Sequence, residues 1–497
     1  MALSIWTQDG LIEDRKRRAR NKIDLTRPGA LEELIELDNS DAPPEAYDDL
    51  ATRYPIQFHR GIKPPSTVAH ARALAFLQKR GDKAALSIKT GADISHEDPP
   101  RLSTGSLSMD FVLNGGIPRG MITQFKGAES LGKTFCAMKT AAETLSAGGT
   151  VLWCAAERFN KGWARTCGIP IPFSVDELVG SDDADQRALM EQYNADSSDG
   201  QRFSLLVGRN GNELLQTIVE AVEHNVFDLI VLDSIAVLRR ALVLDKKSVG
   251  DETMGGEAKL FNDFCTRLES AFNFVESQHG KVVGTAYVCK DCDAVYAKKT
   301  DSKACPNKTK GKCSLTQEND YGEALRSALL VLNQIRDRGI GSYIPQRPDA
   351  PGGRGLRHAK GVEIEFQSGE ALSTEYQGRA VSYGKRSIFT CTKSKVGAPD
   401  RTAAVEIHYQ TIPGVSNAGE YNLWVDLFGC KFRGDRKIVG LAEMAGIMLQ
   451  KGAHIYIGED RFHGQNALLT YLRNPKNSHV VQAMRVTISK WILEGGF

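Results

Sequence analysis

The stretch Gly127-Ala128-Glu129-Ser130-Leu131-Gly132-Lys133-Thr134 fits the pattern G-x-x-x-x-G-K-[ST] at every fixed position. Such a loop constrains the fold around it, because it works only between a buried strand and a helix whose N-terminus faces the bound anion. Its glycines let consecutive N–H groups turn inward, Lys133 can place a charge on the β and γ oxygens, and Thr134 offers a hydroxyl to magnesium. The flanks agree with this requirement. Met121 to Phe125 reads as a short buried strand and Phe135 to Leu145 as a helix. Residues Gly127, Ala128, Glu129, Ser130, Leu131, Gly132, Lys133 and Thr134 are therefore the expected nucleotide cradle.

The following sequence alternates β and α patterns, which predicts an α/β fold with a mainly parallel sheet flanked by helices. Thr150 to Glu157 is an apolar run ending on a carboxylate, Phe203 to Val207 is a third strand, and Glu213 to His224 a helix. Phe227 to Ser234 is another apolar run, and its Asp233 has the form of the acid that holds magnesium or its water. Strand ends of this kind point to the ligand side of such a sheet.

At 497 residues the chain calls for two or three domains. No run of eighteen apolar residues could span a membrane, no secretory signal opens the sequence, and the expected location is cytoplasmic. A net charge of +2 leaves nucleic-acid binding to local clusters such as Arg15 to Lys22. Of ten cysteines, Cys136, Cys154, Cys167, Cys265, Cys391 and Cys430 stand singly and read as core thiols. Cys289, Cys292, Cys305 and Cys313 lie together, and the C-x-x-C spacing of the first pair suits a four-thiolate structural zinc site. Residues 1–65 read as a partly flexible arm rather than a packed domain, and 66–100 as a helix and a strand, from Val68 to Gln78 and Ala84 to Ile88. Farther on, Ala403 to Tyr409 reads as a strand and Lys437 to Leu449 as a helix.

Taken in order, several segments make the chain resemble the RecA family of DNA recombinases. They are Leu102 to Asp110, Gly116-Ile117-Pro118-Arg119-Gly120, the phosphate loop, Leu232 to Leu238, Asn333-Gln334-Ile335-Arg336, Pro351-Gly352-Gly353 and Thr392 to Pro399. The resemblance implies a RecA-like P-loop NTPase core over 101–415. An N-terminal polymerisation arm would precede it, and a small α/β C-terminal domain over 416–497 would follow. It implies that Glu157 activates the attacking water, that Gln334 senses the γ-phosphate, and that Lys393 and Lys395 reach into the ATP of a neighbouring subunit. Trp163 would stack on adenine, one residue off the usual spacing. Two DNA loops are implied, at 241–251 and 337–350, with Arg336, Arg338, Ile340, Tyr343, Ile344, Arg347, Gly352 and Gly353 as the DNA-binding set.

Residues 281–325, which carry the clustered cysteines and a surrounding set of lysines, are an insertion relative to the family. The closing stretch Trp491 to Phe497 does not resemble the acidic tail common in its bacterial members, so regulation by such a tail is not expected. The implied activity is a DNA-dependent ATPase that forms homo-oligomeric filaments on single-stranded DNA and pairs it with homologous duplex, with ATP, magnesium and zinc as cofactors and no membrane partner. A ring-forming helicase or branch-migration motor and a non-catalytic DNA coat are the alternatives.

Overall fold

The computed structural model describes residues 29–40, 42–53, 100–181, 183–196, 202–208, 211–236, 256–280, 282–289, 295–296, 315–335, 353–428 and 440–494, with Lys16, Ala19, Ile23 and Leu238 as single positions. Its first six strands are β1 (Arg101–Leu102), β2 (Ile117–Pro118), β3 (Ile122–Gly127), β4 (Val151–Ala155), β5 (Phe203–Val207) and β6 (Leu229–Asp233). Then come β7 (Val282–Cys289), β8 (Val295–Tyr296), β9 (Leu315–Tyr321), β10 (Ala328–Gln334), β11 (Val362–Tyr376), β12 (Arg379–Ser394) and β13 (Thr402–His408). The last three are β14 (Met448–Lys451), β15 (His454–Ile457) and β16 (Asp460–His463).

The central sheet has eight strands in the order β13-β12-β11-β3-β10-β6-β4-β5. From β11 to β5 every pairing is parallel, and β12 and β13 add antiparallel at the other edge. Val151, Trp153 and Ala155 enter one hydrophobic cluster while Leu152 and Cys154 enter another, so this strand is buried on both faces. Continuous apolar runs are what a parallel sheet covered by helices requires. Helices Lys133–Ser146, Gly211–Glu223 and Gly256–Gln278 supply part of that cover. Cys136, Cys154, Cys167, Cys265 and Cys391 are free and buried, as core thiols should be, and Cys430 lies outside the described residues.

Strands β11 and β12 form a long hairpin closed by Gln377 at φ 52 and Gly378 at φ 74. Two consecutive positive φ values make the turn whose twist matches that of paired strands. Near its far end the ladder slips: Glu363 pairs with Lys393 while Ile364 pairs with Cys391, leaving Thr392 as an extra residue in β12.

The described strands of the segment 281–325 lie outside the central sheet. They make a separate antiparallel sheet in the order β8-β7-β9. The two ends of the insertion meet where the Gly280 N–H donates to Gly322 O at 2.9 Å. Gly322 is required there, since a Cβ would lie 2.0 Å from Gln278 O. A closed base lets the helix Gly256–Gln278 and β10 stay in place around the added residues.

Two sequence expectations are corrected by the fold. The first concerns the N-terminal residues, read as an arm without a packed core. Helices Ala30–Asn39 and Pro44–Arg53 instead enclose a cluster of Ala19, Ile23, Ala30, Leu34, Tyr47 and Leu50. Lys16 of the basic run is buried there, its ammonium 5.7 Å from the Tyr47 ring centroid. Burying the aliphatic stem against an aromatic face offsets the loss of hydration. The second concerns Lys437 to Leu449, read as a helix. Among its described residues only Leu441–Met444 is helical, Gly446 turns out at φ 72, and Met448 already belongs to β14. The helix and strand expected at 68–88 lie outside the described residues.

The C-terminal residues pack β14, β15 and β16 with helices Gly464–Arg473 and Ser478–Leu493 around Leu468, Leu472, Met484 and Ile488. Asp426 joins this part to the core. Its Oδ1 accepts from Ser106 Oγ at 2.6 Å and Ser108 N at 2.9 Å, and its Oδ2 accepts from Leu107 N at 3.1 Å. It thus caps the short helix Leu107–Val112 from more than three hundred residues away, as a carboxylate at a helix N-terminus should.

Candidate nucleotide site

Strand β3 ends at Gly127, and the helix Lys133–Ser146 begins directly after the loop. Gly132 stands at φ 86 ahead of that helix, and a Cβ on it would lie 2.2 Å from Ile407 Cδ1. Both conformation and space therefore demand glycine. Lys133 folds back over the loop, donating to Gly127 O at 3.0 Å and Ala128 O at 2.5 Å. Burial lowers its pKa, while Asp233, Glu129 and Glu157 pull the other way.

Two carboxylates face this lysine from neighbouring strand ends. Ala155 of β4 pairs with Asp233 of β6, so Glu157 and Asp233 emerge side by side. Asp233 is pushed up to about 7 by burial and by the Glu157 carboxylate, against the Thr134 hydroxyl and Lys133. Glu157 Oε1 accepts from Ser234 Oγ at 2.6 Å and from Gln334 Nε2 at 3.2 Å. Gln334 closes β10, which lies between β3 and β6.

These groups line a cleft of about 670 Å³. One wall is aromatic: Trp163, whose backbone N–H donates to Asn160 Oδ1 at 3.0 Å, has its ring centroid 6.2 Å from that of Tyr409. Tyr409, Lys385 and Ser234 are cleft residues that were not singled out from the sequence. The set suits a polyphosphate anion with a divalent cation. Thr134 hydroxyl and Asp233 carboxylate are adjacent oxygen donors for a hard cation, and Lys133 with the helix N-terminus would meet the anion.

A family model of the RecA N-terminal domain matches residues 69–193, which include the phosphate loop, Glu157 and Trp163. The protein named Protein RecA from Herpetosiphon aurantiacus is 25% identical over 427 residues, 85% of this chain and 89% of the relative. Those of the same name from Chloroflexus aurantiacus and Geobacter sulfurreducens are 24% identical over 416 residues and 26% over 391, covering 83% and 78% of this chain and 89% and 85% of their own lengths. Over most of its length the chain is similar to RecA-family proteins.

The sequence-predicted residues fall into four groups. Glu129 to Thr134, Glu157, Asp233, Trp163 and Gln334 line the cleft, and Gly127 and Ala128 open the same loop from the end of β3. Lys393 and Lys395 do not line it. Lys393 Nζ donates to Arg357 O at 2.8 Å and His358 O at 3.4 Å, at the C-terminal end of helix Gly353–Ala359, and Lys395 is exposed. The remainder lie outside the described residues: Arg336, Arg338, Ile340, Tyr343, Ile344, Arg347 and Gly352, the loop at 241–251, and Cys292, Cys305 and Cys313. Gly353 opens the helix, and Cys289 is the last residue of β7. Among the described residues no group of three or more His, Cys, Asp or Glu could hold a metal, and no helix is long and apolar enough to cross a membrane.

Proposed function

We propose that this chain is an ATP- and magnesium-dependent recombinase that polymerises on single-stranded DNA and promotes homologous pairing and strand exchange. The observation that carries this reading is the position of Glu157, held by Ser234 and by Gln334 beside Lys133 and Asp233. Gln334 leads within three residues into the segment 337–350, which the family resemblance makes a DNA loop. One side chain thus bonds the carboxylate that would orient water and begins the stretch that would hold DNA.

In the chemical step Lys133 and the loop N–H groups would hold the phosphates, Glu157 would orient or deprotonate the attacking water, and Trp163 with Tyr409 would hold the base. Magnesium, carried by Thr134 and Asp233, would neutralise charge on the phosphate oxygens. Lys393 holds its ammonium at the exposed C-terminal end of helix Gly353–Ala359 and Lys395 is exposed, which supports a role in a neighbouring copy's site. The domain division at 65, 100 and 415 and a cytoplasmic location belong to the same reading.

The four clustered cysteines support a structural zinc site in the insertion. Serine at Cys289 and Cys292 should remove zinc and weaken DNA binding; unchanged zinc content and DNA affinity would dismiss the module.

Electron microscopy, with ATP turnover measured with and without single-stranded DNA, tests the main reading. Open helical filaments with DNA-stimulated turnover are expected, and Lys133→Ala should abolish the turnover. Closed rings with directional unwinding would favour a motor, and filaments without turnover a passive coat.

A further inference from the structure

Strand β12 touches the phosphate loop twice. Ser387 Oγ donates to Leu131 O at 2.8 Å in a buried contact, and two residues earlier Lys385 Nζ reaches Ser130 O at 3.4 Å. Residues two apart leave the same face of a strand, so both side chains descend on the loop together. The Tyr409 N–H, bonded to Tyr383 O at 2.8 Å, fixes the aromatic wall to the same strand.

The loop therefore carries a lysine at each end of its span. Lys133 sits on the carbonyls of Gly127 and Ala128, and Lys385 on that of Ser130, and both line the cleft. A neutral carbonyl is a weak partner for an ammonium compared with a phosphate oxygen, so an entering polyphosphate would draw both cations to itself. Lys133 belongs by its loop position to the β and γ phosphates. Lys385 comes from the strand that also holds Tyr409, on the side where a base would rest.

We infer that Lys385 is a second phosphate-binding cation of the cleft, acting within its own chain on the phosphates nearest the nucleoside. The inference rests on the nucleotide reading given above. A cation placed there meets ATP and ADP alike, so it governs retention of the nucleotide rather than recognition of the γ-phosphate.

Titration of the full chain and its Lys385→Gln and Lys385→Arg variants with fluorescent ATP and ADP, in magnesium at low salt, tests this. Lys385→Gln should weaken both nucleotides by about fivefold to tenfold and leave their ratio unchanged. Lys385→Arg should restore most of the affinity, and the deficit should shrink as salt is raised. Equal affinity of wild type and Lys385→Gln would overturn the inference while leaving the cleft reading intact. A loss confined to ATP would overturn it too, by moving the contact to the γ-phosphate. A lowered unfolding midpoint without nucleotide, not restored by arginine, would reduce Lys385 to a structural prop. A wild-type chain that bound neither nucleotide would remove the cleft reading and this inference with it.

Discussion

Ser234 donates to Glu157 at 2.6 Å, and the bond comes from the residue directly after the acid Asp233 at the end of β6. The carboxylate is thereby fixed in direction by a hydroxyl on one side and by the Gln334 amide on the other. Ser234→Ala should lower kcat for DNA-stimulated ATP turnover about tenfold, near 1.4 kcal/mol of transition-state stabilisation. KM for ATP should stay within about twofold, because a positioning bond of this kind acts on the reacting water and not on nucleotide binding. Steady-state rates decide it, and an unchanged kcat would show that Glu157 is held by other means.

Gly132 and Ile407 give a steric prediction. A methyl group on Gly132 collides with the δ-carbon of Ile407, and φ 86 adds strain to any other residue. Gly132→Ala should lower stability by about 1–3 kcal/mol and nearly eliminate nucleotide binding. Ile407→Val removes the clashing carbon. It should cost about 1 kcal/mol in the wild type and clearly less in the Gly132→Ala background, a non-additivity that urea unfolding can measure.

Asp426 is 1% exposed and serves two N–H groups and a hydroxyl, with Arg485 Nη1 at 3.5 Å. Asp426→Ala would leave those donors and the guanidinium without it. A loss of about 2–4 kcal/mol is expected in equilibrium unfolding, with Asp426→Asn less severe. A loss below about 0.5 kcal/mol would mean that the C-terminal part is held to the core by apolar packing alone.

Asp110 predicts a pH dependence. Burial pushes its carboxyl up to about 7, above the ordinary 3.8, although Ser103 and Thr104 donate to it. With the folded pKa raised, the native state holds the extra proton between these values. This contribution to stability is complete below the lower pKa and is lost as pH rises through about 7, at about 1.4 kcal/mol per pH unit. The stability advantage of wild type over Asp110→Asn should therefore be larger at pH 5 than at pH 8. Urea midpoints that keep a constant gap across this range would show that Asp110 does not titrate there.

Much of the core was legible because local pattern and buried environment agree. Ile122–Gly127, Val151–Ala155, Phe203–Val207 and Leu229–Asp233 fall within a few residues of the predicted strands, and the loop between β3 and its helix follows from glycine spacing. The contributions of Lys385 and Tyr409 were not legible, since Lys385 meets Ser130 and Tyr409 meets Trp163 only through side-chain contacts between residues far apart in sequence. The N-terminal cluster was hidden for a related reason. It draws Ala19 and Ile23, Ala30 and Leu34, and Tyr47 and Leu50 from three polar segments, none of which looks apolar enough to pack. The helix expected at 437–449 failed at Gly446, whose left-handed backbone ends the run before the next strand.

Thr392 changes the parity of β12. Ser387, Phe389 and Cys391 point inward, and by strict alternation the next odd position, Lys393, would be sealed in with them. The extra residue breaks that count and turns the ammonium outward to the carbonyls of Arg357 and His358. A strand that kept Thr392 but lacked the bulge would seal the lysine in, whereas deleting Thr392 would restore simple alternation and leave Lys393 opposite Glu363, facing as it does now.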